Sequence, residues 1–300
     1  MKCILPFLIV FFFLFTFSCK TGPKEKNTFE PTFSTYQTDS TRKSAPTEKN
    51  EIFYGILTPI EICTIFNRLG VPYYKDALNP TENKDQYLSS SEASINTGIY
   101  GVDFGYLKMF GIGQEMLEYM ATIRELSNRL SIPESILSEP AKRIDIGMSD
   151  PDTILSLMNT AYTKMENHLR ESGRESSAGL MVMGGWVEAM YIATQLVYDP
   201  AKPDPGVVEK IAEQKYTLTA LLSFMKNYYD DPVVVYYTKK LKFLKNYFDT
   251  FDIYFKKGDL EIDKSKKVFR SSGSEMTVTV ETLNKIRDYV SKLRTEMVNP

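Results

Sequence analysis

The chain has 300 residues, with 36 basic and 38 acidic side chains and a single histidine, His168. A formal net charge of −2 gives no overall reason to expect nucleic acid, for which a basic patch or stripe is the usual footprint. One histidine excludes a zinc site built from several histidines, and any Ser-His or Cys-His nucleophile pair would have to use it.

The first nineteen residues predict a lipoprotein signal. Lys2 precedes an apolar run over residues 4–17, which ends in Ser18-Cys19. A basic start and a short apolar stretch are typical of a secretory signal, and the stretch is too short for a comfortable membrane span. A small residue before a cysteine is the pattern that signal peptidase II cleaves. We expect residues 1–18 to be removed and Cys19 to carry lipid; an uncleaved anchor or a plain secretory signal is the alternative.

Cysteine usage is consistent with this interpretation. Cys3 would leave with the signal and Cys19 would carry lipid, so Cys63 alone belongs to the folded part. A single cysteine has no intramolecular disulfide partner, and we expect the apolar core to hold the domain together. The apolar neighbours of Cys63 favour a small buried residue over a reactive thiol.

Residues 19–51 predict a disordered tether, because they are rich in Thr, Ser, Lys, Glu and Pro and lack apolar periodicity. The Phe-rich signal and its Ser-Cys-Lys ending resemble lipoproteins of the Bacteroidota. Surface export in that group depends on an acidic pair after the lipidated cysteine. Lys20 and Thr21 stand there instead, so we expect the periplasmic face of the outer membrane rather than the cell surface. Asp39-Ser40-Thr41 is similar to O-glycosylation sites of the same phylum; an unmodified Ser40 is the alternative.

Residues 52–300 predict a single all-α domain, and a subdivision near 199–204 is the alternative. Thr58-Pro59-Ile60-Glu61 offers a capping box, and Asp150, Asp204 and Asp231 each precede a proline that suits the first helical position. Further helices are predicted over residues 91–110, 113–131, 133–146, 174–198, 205–229, 232–257 and 278–298. Eight or nine helices with short connections imply a helical bundle or stacked antiparallel helix pairs.

Two Gly-rich helices share a sequence pattern. The segments 98–106 and 184–191 each contain a valine, then an acid and then a tyrosine three residues later. Glycine costs about 1 kcal/mol relative to alanine inside a helix, so several glycines together indicate close helix contact. We therefore expect these two helices to pack on each other centrally.

The acids of this pattern, Asp103 and Glu188, are the candidate functional residues. An acid in an apolar stripe either finds hydrogen-bond partners or acquires a raised pKa. One interpretation is a cleft with Tyr106, Tyr191 and Trp186 as neighbours. The favoured one is structural: each carboxylate bonds a tyrosine hydroxyl or a helix N-terminus and fixes the packing.

Other chemistry has little support in the sequence. Glu115, Glu118 and Glu166 could add carboxylate metal ligands, but the Glu-x-x-His pair of di-iron bundles is missing. His168 lies near the predicted helix end at 171–173, where capping or packing is favoured. There is no phosphate-binding loop, no Gly-x-Ser-x-Gly elbow and no Cys-x-x-Cys pair. We assign no catalytic residue, no metal and no cofactor.

The C-terminal third is rich in aromatic residues and lysines. Residues 241–255 carry more apolar side chains than one helical face holds, so this helix is either buried on two sides or leaves one side for a partner. Lys264, Lys266, Lys267 and Arg270 are expected in a following loop, where they are solvated or touch lipid phosphates.

Residues 57–198 resemble a family of functionally uncharacterised, all-helical Bacteroidota lipoproteins. The resemblance rests on Leu69-Gly70-Val71-Pro72-Tyr73, Leu78-Asn79-Pro80, the 98–106 run, and Gly173-Arg174 followed by Gly184-Gly185-Trp186-Val187-Glu188. It implies an all-helical fold and brings no known reaction or catalytic residue.

These observations favour a non-enzymatic outer-membrane lipoprotein whose helical domain scaffolds or binds another envelope protein. This hypothesis predicts an exposed apolar or aromatic patch and well-satisfied carboxylates. The alternative is a small-molecule or metal-binding helical protein, hydrolytic in one version, with a cleft at Asp103 and Glu188.

Overall fold

The computed structural model describes residues 73–138, 142, 151–255, 260–263, 268–271 and 274–300. Several predicted features lie outside these residues: the signal, the expected lipidation site Cys19, the expected tether with Ser40, the expected buried Cys63 and the expected capping box at Thr58. So do Asp150, half of the predicted helix 133–146 and the lysines at 264–267.

The described part of the chain is all-α in architecture, as predicted, and contains seven α-helices of 17 to 21 residues. They are α1 Ser90–Met109, α2 Gly113–Arg129, α3 Pro151–Glu171, α4 Glu175–Ile192, α5 Pro205–Met225, α6 Pro232–Phe248 and α7 Val280–Val298. Short 3₁₀ turns lie at Lys75–Ala77, Thr81–Gln86 and Lys226–Tyr228, and a π-helical turn at Ala193–Val197 extends α4. Residues 135–138 and 142 are also helical.

The helix starts follow the predicted local chemistry. Asp204 and Asp231 each accept hydrogen bonds from two backbone N–H groups of the first turn, and a proline takes the first helical position after each. Ser89 and Glu92 form a complete capping box at the start of α1, which the sequence analysis did not use.

The segment after α6 differs from the prediction of one helix over 232–257. Helix α6 ends at Phe248, and β1 Ile253–Phe255 pairs antiparallel with β4 Ser274–Met276. Between them, β2 Leu260–Asp263 pairs antiparallel with β3 Val268–Ser271, so Arg270 lies in a strand rather than in a loop. The β-branched and aromatic residues of β1 suit a strand. Its partner strand β4 lies about twenty residues further along the chain, and the helical periodicity of the sequence cannot predict such a distant pairing.

Helix α4 is the central helix of the domain. An apolar cluster of α5, α6 and α7 residues packs on one side of it, and a cluster of α2 and α3 residues packs on the other; α1 contributes to both. Within the described residues, Glu175–Val197 is the one helical segment long and apolar enough to cross a membrane, but 72% of its apolar window is buried inside the domain. Burial on all sides is what a core helix shows.

Helices α1 and α4 touch through their backbones. A methyl group on Gly98 would lie 1.9 Å from the carbonyl oxygen of Met181, and one on Gly184 would lie 2.1 Å from that of Ile95. No side chain fits at either position. The prediction that the two Gly-rich helices pack on each other is therefore confirmed.

Candidate functional site

Asp103 of α1 and Glu188 of α4 lie close together inside the domain. Each acid follows, on its own helix, the glycine at which the two backbones touch. Both residues are 0% exposed. The two carboxyl groups lie close enough for their charges to interact. The close approach of α1 and α4 thus brings the two predicted acids together.

Glu188 is paired with Arg294 from α7. The Nε of Arg294 donates to Oε2 of Glu188 at 2.9 Å and its Nη2 donates to Oε1 at 3.1 Å, a bidentate geometry. The same Nη2 donates to the carbonyl oxygen of Ala77 at 3.1 Å. The guanidinium carbon also lies 4.6 Å from the ring centroid of Tyr191, within cation–π range.

Asn79 joins Asp103 to the segment before α1. Its backbone N–H donates to Oδ2 of Asp103 at 3.1 Å, and its carbonyl oxygen accepts from the Tyr119 hydroxyl at 2.9 Å. Its side-chain Nδ2 donates to the Tyr87 hydroxyl at 2.9 Å and to Oδ1 of Asn96 at 3.2 Å. Its Oδ1 accepts from Nδ2 of Asn83 at 2.8 Å. Asn79 is fully buried, and its backbone and side chain together contact five other residues.

The last turn of α7 is attached to the same group of side chains. Nδ2 of Asn96 donates to the carbonyl oxygen of Met297 at 3.0 Å, and the Tyr87 hydroxyl donates to that of Val298 at 3.1 Å. The last four carbonyl groups of a helix have no partner within it, so these contacts satisfy two of them. We call Asn79, Tyr87, Asn96, Asp103, Glu188 and Arg294 the buried polar network.

Charge balance within this network determines the protonation of Asp103. Two ionised carboxylates beside one guanidinium would leave an uncompensated buried negative charge, which is costly. Burial raises the pKa of Asp103 well above its usual range, and Glu188 raises it further, whereas Arg294 and the Asn79 N–H lower it. Oδ1 of Asp103 accepts no hydrogen bond from any described group, which suits a protonated oxygen. Charge balance and burial therefore favour the neutral form of Asp103.

Arg294 and the nearby tyrosines keep their ordinary charge states. Burial lowers the pKa of Arg294, but the charge of Glu188 outweighs burial and the pKa is raised overall. Burial raises the pKa of Tyr100 and of Tyr119, so their hydroxyls stay neutral. The network thus contains one cation and one anion when Asp103 is neutral.

The predicted neighbours of the acids take other roles. The hydroxyl of Tyr106 accepts from the N–H of Tyr74 at 2.7 Å, and Trp186 donates its indole N–H to Oε1 of Gln214 at 3.2 Å. Tyr191 reaches the network through Arg294. The predicted bonds from the acids to tyrosine hydroxyls or to a helix N-terminus are therefore wrong. Glu188 instead accepts from the guanidinium of Arg294, which supplies both a positive charge and a rigid pair of donors. Asp103 accepts from the backbone N–H of Asn79 in a loop.

The other candidate acids lie elsewhere. Glu115 accepts from the Tyr73 hydroxyl at 2.6 Å and from Lys75 at 2.7 Å, close to the surface. Glu118 accepts weakly from a neighbouring glutamine, and Glu166 pairs with Arg170 at 3.3 Å. Across the residues that the structure describes, no group of three or more metal-binding side chains comes together.

His168 has a local contact near the end of α3. Its Nε2 lies 3.2 Å from the carbonyl oxygen of Ser131 and 3.2 Å from Nη2 of Arg174. These are contacts between neighbouring helix ends, as a packing role requires.

Sequence reasoning missed Arg294 and Asn79, although one signal was present. Arg294 stands four residues after Val290 and three before Met297, on the buried face of α7. A basic residue on an apolar face indicates a buried counter-charge. Asn79 lies in an irregular segment, where no periodicity marks it.

A second candidate feature lies on the outside of α6. Tyr236 and Phe243 are 48% and 50% exposed. The Phe243 ring centroid lies 5.1 Å from that of Tyr289 on α7 and 5.5 Å from that of Tyr247. We call Tyr236, Phe243, Tyr247 and Tyr289 the aromatic stripe.

Comparison with known proteins adds no family assignment. No protein-family model, no curated protein and no solved structure matches this chain.

Proposed function

We propose that this protein is an outer-membrane lipoprotein of the Bacteroidota type, anchored through lipid on Cys19. Its helical domain then works on the periplasmic face, where it binds another envelope protein and catalyses no reaction. The Ser18-Cys19 pattern supports the anchor, and the missing acidic pair after Cys19 supports the periplasmic face. The resemblance to uncharacterised Bacteroidota lipoproteins is part of this proposal.

The observation that carries the binding role is the aromatic stripe. Tyr236 and Phe243 each leave about half of their surface to solvent, although neighbouring groups already hold their rings. Aromatic residues are enriched in protein interfaces, and a ring that is ordered before binding loses little conformational entropy on association. A surface of this kind favours a protein partner.

The two candidate acids favour a structural role over a catalytic one. Asp103 and Glu188 are fully buried, and their hydrogen bonds fasten the segment at Asn79 and helix α7 to the α1–α4 pair. A hydrolytic or metal-binding cleft needs carboxylate oxygens that a ligand can reach. The alternative function at these residues therefore has less support.

The experiment that tests the proposed function is affinity purification of the tagged, full-length protein from envelopes of its own organism. Cys19→Ala, which removes the lipid-bearing cysteine, is the control. We expect the protein in the outer-membrane fraction with one reproducible envelope protein that the Cys19→Ala variant loses. Recovery of the lipidated protein alone, from cells cross-linked before lysis, would contradict a binding role.

A further inference from the structure

We propose that the α6 face formed by Tyr236, Lys239, Lys242 and Phe243 binds an acidic polypeptide segment that also carries aromatic or aliphatic side chains. This inference rests on the proposed function and gives the binding surface and the chemistry of the partner. We call these four residues the binding face.

The binding face lies opposite the buried side of α6. All four of its residues are exposed, whereas the side that faces the core is buried; that side comprises Val234, Tyr237, Thr238, Leu241, Leu244 and Phe248. Tyr236, Lys239 and Phe243 are spaced by three and four residues, which places them on one side of a helix. Two rings and two lysines therefore share one exposed side of the helix.

Both rings of the binding face are ordered before any partner binds. The Tyr236 hydroxyl donates to Oε1 of Glu296 on α7 at 2.8 Å, and Lys240 lies 4.7 Å from the same ring. Phe243 packs against Tyr247 and Tyr289. A partner would meet fixed rings with about half of their surface free, and ordering costs at such a site are small.

The charge of the binding face determines the kind of partner. Helix α6 carries four lysines; Lys240 pairs with Glu296 at 2.7 Å and Lys245 with Asp249 at 2.5 Å. Lys239 and Lys242 meet no carboxylate among the described residues, and Lys242 lies 5.4 Å from the ring of Tyr229. Complementary charge steers association and penalises the wrong partners, so two uncompensated lysines beside exposed rings fit an acidic segment with apolar side chains.

Two other occupants fit the face less well. Recognition of anionic lipid by charge uses clusters of about four to eight basic residues, whereas the binding face has two, Lys239 and Lys242. The carboxylates of Glu296 and Asp249 neutralise the other two lysines of α6. In a symmetric dimer each copy would present the same face to the other. Lys239 and Lys242 would then meet like charges. A separate acidic polypeptide avoids both problems.

The test uses the full-length, lipidated protein in detergent as bait for a phage library of random 16-residue peptides. We expect the selected peptides to be rich in Asp and Glu interspersed with aromatic or aliphatic residues. Their binding should fall at least tenfold with Lys239→Glu plus Lys242→Glu, and also with Phe243→Ala. Peptides whose acids are changed to lysine should regain binding to the Lys→Glu variant. Lys239 and Lys242 are exposed, so the Lys→Glu variant should unfold at an unchanged temperature. Phe243→Ala loses ring contacts with Tyr247 and Tyr289 and should unfold at a slightly lower temperature but remain folded in the binding assay.

Matched controls carry the same chemical changes elsewhere. Lys164→Glu plus Lys202→Glu reverses two exposed charges, and Leu88→Ala removes a side chain that is 85% exposed. Binding unchanged by the binding-face variants, or reduced equally by the controls, would overturn the inference. So would binding-face-dependent adsorption to phosphatidylglycerol vesicles or self-association without peptide binding. An envelope partner that co-purifies equally with the binding-face variants would overturn this inference and leave the proposed function standing.

Discussion

Asp103 is a buried acid whose neutral form stabilises the fold. Burial, and then the neighbouring Glu188, raise its pKa in the folded protein above that in the unfolded chain. Between these two pKa values the folded state binds more protons than the unfolded state, so the free energy of unfolding falls as pH rises. The stabilisation is complete below about pH 4, the usual pKa of an aspartate, and is lost as pH rises through the folded pKa.

Asp103→Asn tests this dependence, because asparagine has nearly the shape of a neutral aspartic acid and keeps an oxygen that can accept from the Asn79 N–H, but cannot ionise. We expect the free energy of unfolding of Asp103→Asn, relative to the original protein, to rise by up to about 1.4 kcal/mol per pH unit above about pH 4. Urea unfolding followed by circular dichroism across this pH range measures the difference. A difference that is constant with pH would show that Asp103 has an ordinary pKa.

The Glu188–Arg294 pair makes a second prediction at the residue scale. Arg294→Met should lower the free energy of unfolding by about 3–5 kcal/mol, because it leaves the buried Glu188 charge without its partner. Glu188→Gln combined with Arg294→Met should cost clearly less than the two single changes added together. Urea unfolding of the three variants gives the coupling energy. Additive effects would mean that the two side chains do not interact.

The two buried acids could be predicted from the sequence because of helical periodicity. Asp103 and Glu188 stood out because each interrupts an apolar face, and the structure brings them together. Arg294 lies 106 residues beyond Glu188, and only the tertiary fold selects it as the partner. Asn79 lies in an irregular segment and contacts Asp103 and Tyr119 through its backbone, which no side-chain pattern predicts.

At the element scale, the contact between α1 and α4 depends on the absence of side chains. Gly98→Ala would place a methyl group 1.9 Å from a backbone oxygen of α4, which cannot move without separating the helices. We expect a loss of about 3 kcal/mol or more in the free energy of unfolding, although alanine is intrinsically the better helix former.

Gly113→Ala is the matched control, because a methyl group there would meet nothing within 4 Å. Gly113 is the first residue of α2, so the same substitution should be neutral or mildly stabilising. Thermal and urea unfolding compare the two variants. Equal effects at both positions would contradict the close backbone contact.

Helices were predictable from the sequence because caps, prolines and periodicity are all local. The strands after α6 were not, because β1 pairs with residues 274–276 and local pattern cannot show a distant partner. The segment after α6 also contains Phe251, Ile253 and Tyr254, which continue the apolar pattern of the helix. Local preference and tertiary pairing conflict there, and the pairing prevails.

At the scale of the whole molecule, the proposed lipidation of Cys19 would link the helical domain to the membrane. We expect radiolabelled palmitate to enter the protein through Cys19 and the Cys19→Ala variant to lose both the label and membrane fractionation. Two or more acyl chains, as a bacterial lipoprotein cysteine carries, anchor a protein stably by themselves. Ser18→Ala is the control, since it keeps a small residue before the cysteine. Membrane fractionation of unlabelled Cys19→Ala would contradict the anchor.

Site-specific photo-crosslinking in living cells tests most directly whether this is a protein-binding lipoprotein. A photoreactive benzoylphenylalanine would replace Phe243 on the binding face in one strain, and the exposed Leu88 in another. We expect a discrete protein adduct from position 243 that requires Cys19, and no such adduct from position 88. No protein adduct from position 243, or the same adducts from both positions, would contradict a specific partner on this face.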